Sequence, residues 1–104
     1  MRLSFGGNDR LGLAIAARST TNKSMAYAIQ VRSDPSTPSL CTPLQRLMVR
    51  TGRKPRFTGH ELELIGPITL SAAETFTQAL MERTPHVLRI GENTQGVFCN
   101  WTGV

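Results

Sequence analysis

Residues 61–92 constrain this chain more than any other stretch. An apolar run, Glu61-Leu62-Glu63-Leu64-Ile65, meets a break at Gly66-Pro67. Pro67 has no N–H to give a ladder, so a strand ends or bends there. From Ser71 to Arg83, the residues Ala72, Ala73, Phe76, Ala79 and Leu80 recur at helical spacing. Thr84-Pro85 stops that helix, and His86 to Ile90 returns as a strand ended by Gly91. Parallel strands joined through a helix need a crossover of this length. The expected class is α/β, a small sheet with helices packed on it.

Upstream, Met1 to Phe5 reads as the tail of a strand, followed by a flexible Gly6-Gly7 turn. Asn8 or Asp9 is a fair helix cap. Leu11 to Arg18 reads as a buried helix, although Leu11, Leu13 and Ile15 also alternate as a strand would. Ala26 to Arg32 is the next strand, with Tyr27, Ile29 and Val31 on one face. Ser33 to Pro43 carries Pro35, Pro38 and Pro43 and reads as a surface excursion. Leu44 to Val49 is a short strand or an irregular segment, and Val97-Phe98 begins like another strand.

Composition narrows the function classes. A chain of 104 residues has room for one small domain, and a hydrophobic content of 39% is globular rather than disordered. The net charge is +5, and Arg46, Arg50, Arg53, Lys54 and Arg56 fall within eleven residues. Such a run can track phosphates or simply be a solvated loop; no aromatic stacking platform accompanies it, so nucleic acid is not the expected partner. Cys41 and Cys99 show neither metal spacing nor a disulfide framework. His60-Glu61 begins like a zinc-protease helix, but Leu64 stands where its second histidine would be. No metal and no cofactor is expected. No secretory signal or membrane span is read in the chain, and the compartment stays unassigned.

Ser71 supports two readings. Ser71-Ala72-Ala73-Glu74 matches the capping box Ser-x-x-Glu, which needs no catalysis. The same position, where a strand turns into a helix, also suits a nucleophile: the hydroxyl is exposed and the helix dipole favours negative charge beside it. The N–H of Ala72 would then point at an oxyanion, and small residues at 72 and 73 leave room for substrate. A serine needs a base to take its proton. His60 and His86 are the candidates by type, yet His60 starts the incoming strand and His86 lies beyond the far end of the helix.

The run Leu64-Ile65-Gly66-Pro67-Ile68-Thr69-Leu70-Ser71-Ala72-Ala73-Glu74-Thr75-Phe76, with Arg89-Ile90-Gly91-Glu92-Asn93-Thr94-Gln95-Gly96 downstream, resembles the tail-specific (C-terminal processing) serine peptidases. In that family a strand leads to Ser-Ala-x-Glu on a helix, and a Gly-Glu-x-Thr-x-Gly turn follows. Arg2-Leu3-Ser4-Phe5-Gly6-Gly7 is similar to the family's Arg-x-Asn-x-Gly-Gly, with Ser4 in place of the Asn. The resemblance implies a ClpP/crotonase-like α/β core, with Ser71 as nucleophile. It further implies an oxyanion hole from the Ala72 N–H and a glycine of Gly6-Gly7, with Glu74 and Glu92 as supporting carboxylates.

The departures from the family shape the rest of the expectation. The lysine base of the bacterial processing proteases is replaced here by Val97. The tricorn-like and retinoid-binding-protein-like branches draw a histidine and other residues from elsewhere. The family's peptide-gripping upstream domains have no counterpart here, and its sequence continues well past the position of Phe98. Residues 1–104 are therefore expected to form a single, incomplete peptidase-core domain, weak or inactive alone. Its partners would be a peptide or protein substrate, the missing peptidase domains, or a second copy through unpaired sheet edges. The alternative is a non-catalytic module, a pseudoenzyme that binds peptides or acidic partners.

Overall fold

The computed structural model describes residues 3–51, 55–83 and 86–97. Helix α1 (Asp9–Ala16) leads to strands β1 (Ser24–Ile29) and β2 (Gln45–Val49). Strand β3 (Glu61–Ile65), helix α2 (Ala72–Ala79), a 3-10 turn (Met81–Arg83) and strand β4 (Val87–Gly91) complete the order. The class is mixed α/β, as expected, but the strands form two small sheets rather than one. β1 and β2 pair antiparallel, while β3 and β4 pair parallel. The proline-rich excursion between β1 and β2 accounts for the first pairing: a connection that returns to the same end gives antiparallel neighbours.

Several boundaries move for local reasons. Asn8 is the cap of α1, in extended conformation with its side chain accepting from Leu11 N–H at 3.2 Å. The second helix is regular only to Ala79 and tightens into the 3-10 turn before Thr84-Pro85. β1 starts at Ser24, and an irregularity in its ladder between Met25 and Tyr27 changes which side chains share a face. Ala26 is therefore buried, and Val31, beyond the strand, is half-exposed. Leu44–Val49 resolves in favour of a strand. Residues 3–5 form no strand; instead Ser4 O accepts from Leu70 N–H at 3.1 Å. The expected final strand at Val97-Phe98 is not seen at Val97, and Phe98 lies outside the described residues, as do Cys99, Arg53 and Lys54.

The core lies between the two helices and the strands. Leu13, Ala16 and Ala17 of the first helical segment meet Ala26, Val49, Ala79, Leu80 and Val87, with Phe76, Tyr27 and Leu47 packed at its edge. Tyr27 ties β1 to α1 by donating its hydroxyl to Asp9 Oδ2 at 2.7 Å.

The parallel pair is built inside out. Glu63 and Val87 face α2 and are buried, while Leu62, Leu64, Leu88 and Ile90 look outward, each 46–60% exposed. Glu63 is satisfied by Arg89 Nε at 3.1 Å and by the Thr77 hydroxyl at 2.7 Å. Those bonds make a carboxylate tolerable in that position. Gly91 closes the pair. Its φ is +131°, and a Cβ there would sit 2.0 Å from Ile65 O, so only glycine fits. No helix among the described residues is long and apolar enough to cross a membrane.

Candidate active site

Three separated segments meet at the start of α2. Leu70 N–H donates to Ser4 O, bringing in the N-terminal segment. Ser71 N–H donates to Val97 O at 3.2 Å, and Gln95 N–H to Thr69 O at 3.0 Å, bringing in the downstream turn. Thr69 itself is fully buried, and its hydroxyl accepts from Gly66 N–H at 3.2 Å. The Gly66-Pro67 break is thus a compact turn that carries the chain into Ser71, which is half-buried.

Ser71 has φ 56° and ψ −127°. It is the one non-glycine with positive φ among the described residues. A helix cap ordinarily has extended backbone, as Asn8 does. Ser71 and Glu74 hold the reciprocal arrangement of a capping box, but the Ser71 hydroxyl closes no side-chain cap hydrogen bond. The firm half is the carboxylate: Ser71 N–H donates to Glu74 Oε2 at 3.1 Å. Backbone strain of this kind costs about 1–3 kcal/mol and gathers at functional turns. Nucleophile elbows are strained strand-to-helix turns of this kind; the serine on this turn is half-buried.

Gly6 lies directly against this turn. With φ +95°, a Cβ placed on it would stand 2.9 Å from Ser71 Cβ and 3.1 Å from Ala72 N. Any side chain at position 6 would therefore collide with Ser71 itself. The N–H groups of Ala72, Gly6 and Gly7 donate to no acceptor among the described residues. Free donors at a helix start are suited to an anion.

Glu74 does more than its place in the capping motif suggests. It is only 5% exposed, and its Oε1 accepts from Gly96 N–H at 2.7 Å. One carboxylate thus holds Ser71 and the downstream turn together. The expected supporting residue Glu92 is placed elsewhere: it is exposed and lines a cavity with Leu3, Gly66 and Ile90, on the outer side of the parallel pair.

The two histidines expected as candidate bases lie away from Ser71. His60 and His86 stand together, ring centroids 5.4 Å apart, at the starting ends of β3 and β4. The strand between them and the elbow spans about 15 Å. No histidine, lysine or arginine among the described residues hydrogen-bonds Ser71. No group of three His, Cys, Asp or Glu among them could hold a metal ion.

A groove of ≈ 200 Å³ opens beside the elbow, floored by Gly6, Ala72 and Phe76 and walled by Leu11 and Ile15 of α1. Nothing in the one-dimensional pattern marks it. The one hint is Gly12, a glycine inside a helix, where a Cβ would rest 3.7 Å from Phe76.

No family model matches this sequence, and no curated protein matches it. Among solved structures, the chain is similar to one from Parabacteroides merdae described as a "putative peptidase". The TM-score is 0.78 at 19% sequence identity, over 94% of this chain and 30% of that one. The likeness is one of fold, and this chain spans under a third of that structure's length.

Proposed function

We propose that this chain carries the nucleophile and the oxyanion-binding turn of a serine-type peptidase core, of the tail-specific kind its motifs resemble. The backbone of Ser71, φ 56° where a plain cap is extended, carries the reading. Ser71 Oγ would attack a peptide carbonyl, forming the C–O bond of an acyl-enzyme. Its proton would pass through a base to the departing amine, and water would then release the acyl group. The carbonyl oxygen would be held by Ala72 N–H and an N–H of Gly6-Gly7; one such donor is worth about 3–4 kcal/mol to an acyl-transfer transition state. The fold's likeness to a larger peptidase-named structure supports the same class. The ClpP/crotonase-like arrangement belongs to this proposal as well.

With no base beside Ser71 among the described residues, the chain alone should turn over peptides weakly or not at all. The test is reaction with a small fluorophosphonate followed by intact mass. We expect slow phosphonylation confined to Ser71 and absent in Ser71→Ala. Equal labelling of that variant would overturn the assignment. One observation favours a second reading: Val97 stands where the resembling family has its lysine. A pseudoenzyme that binds peptides or acidic partners would show peptide binding in both forms and no labelling in either.

A further inference from the structure

We propose that His60 and His86 form a binding site for a divalent transition metal ion of the zinc type, at the end of the parallel pair remote from Ser71. The proposal does not depend on how Ser71 is read. Backbone pairing brings the two histidines together. β3 and β4 pair from Glu61 opposite Val87 onwards, and Glu61 N–H donates to His86 O at 2.8 Å. His60 and His86 stand one position before that first pair. Side chains alternate along a strand, and continuing the alternation puts both histidines on the outer face with Leu62, Leu64, Leu88 and Ile90, opposite the buried Glu63 and Val87. Both are exposed, and their rings stand side by side.

The separation of the rings suits a shared ion. Zinc holds imidazole nitrogens at about 2.0–2.1 Å with tetrahedral angles, which sets the centres of two rings on one ion roughly 5 Å apart. The centroids of His60 and His86 are 5.4 Å apart, with the ring planes tilted by 34°. Among the described residues neither imidazole makes a hydrogen bond, so the ring nitrogens are open to a ligand. Arg83, the cation on the turn before β4, is buried and engaged by Glu61 at 2.7 Å and by Gly59 O at 3.0 Å. It therefore does not project into the space between the rings. Glu61 is held in turn by Arg83 and Ser19 and is not a third ligand. Imidazole suits zinc, copper and nickel, whereas magnesium and calcium take oxygen ligands. The described residues offer no three-membered ligand group, so two positions come from the chain and water completes the shell. An ion held there would pin the starts of β3 and β4 to each other.

The test is calorimetric titration of the chain with zinc chloride, and separately with magnesium chloride, while the imidazole and amide resonances are followed by NMR. Zinc should bind, move the ring signals of both histidines and slow amide exchange at Leu62 and Leu88. Magnesium should do none of these. His60→Gln and His86→Gln change exposed positions, and each should weaken zinc binding about tenfold or more, since losing even an outer partner of a metal ligand costs that much. Cys41→Ser, which removes an exposed thiol, should leave the affinity unchanged. Absence of zinc binding overturns the site, as does binding that survives both histidine variants or is lost with Cys41→Ser alone. Ring signals that stay in place as zinc is added to the unmodified chain also overturn it, and that reading stands even if a variant fails to fold.

Discussion

Ser71 and Asn8 both begin a helix, yet their backbones differ, and that difference can be measured. Asn8 is extended and caps Leu11 N–H, so Asn8→Gly should cost a few tenths of a kcal/mol. Ser71 is held at positive φ, where glycine carries no Cβ penalty. Ser71→Gly should therefore raise stability above the parent by about 1 kcal/mol in urea denaturation. A glycine variant weaker than the parent would return Ser71 to the status of an ordinary cap. Tyr27 offers a second measurement at this scale. Partial burial, and then its hydrogen bond to the Asp9 carboxylate, push its phenol up to about 12. The folded state then holds the proton more tightly than the unfolded chain, so stability falls as pH rises from about 10 through about 12. As the chain has one tyrosine, its tyrosinate absorbance reports the shift directly. A midpoint near 10 in native conditions would contradict the Tyr27–Asp9 contact, and Tyr27→Phe should flatten this alkaline limb.

At the level of elements, α2 is fastened at its start by a side chain and along its length by the sheet beneath it. Glu74 ties the Ser71 amide to the Gly96 amide. Glu74→Ala leaves the Gly96 donor without that acceptor and should cost about 1–3 kcal/mol. Amide exchange at Gln95 and Gly96 should accelerate beyond the global loss. Exchange that changes uniformly would mean that the downstream turn does not depend on Glu74. The β3–β4 pair shows how an element can be found correctly and oriented only by its surroundings. Alternation in 61–65 predicts a strand with Leu62 and Leu64 on one side. Which side meets the helix depends on Arg89 and Thr77, both remote in sequence, which together satisfy Glu63.

At the scale of the whole molecule, the described residues leave one face of the parallel pair open. Parallel sheets occur with both faces covered, and here α2 covers one, while the other presents Leu62, Leu64, Leu88 and Ile90. Among the described residues no helix or strand lies over that face, and Leu3 borders it beside Leu64 and Ile90. The isolated chain should therefore associate as concentration rises, by the burial that favours any such patch. Sedimentation velocity checks this: Leu62→Lys with Leu88→Glu should return the chain to a monomer. A parent chain that stays monomeric at high concentration would show that the face tolerates water.

The strand–turn–helix–strand order of 61–92, the break at Gly66-Pro67 and the buried stripe of α2 were all legible in the sequence. Periodicity and chain stiffness are local properties that a few neighbouring residues impose. The class of fold and the prominence of Ser71 followed from the same local rules. The division into two sheets, the approach of Gly6 to Ser71, the second bond of Glu74 and the groove between the helices were not legible. Each depends on contacts between segments far apart in the chain, and their geometry is settled only when the core closes and buried polar groups must find partners. The backbone angle of Ser71 lies between these cases: the turn was readable, but its strain comes from Ser4, Val97 and Glu74 holding it from three directions.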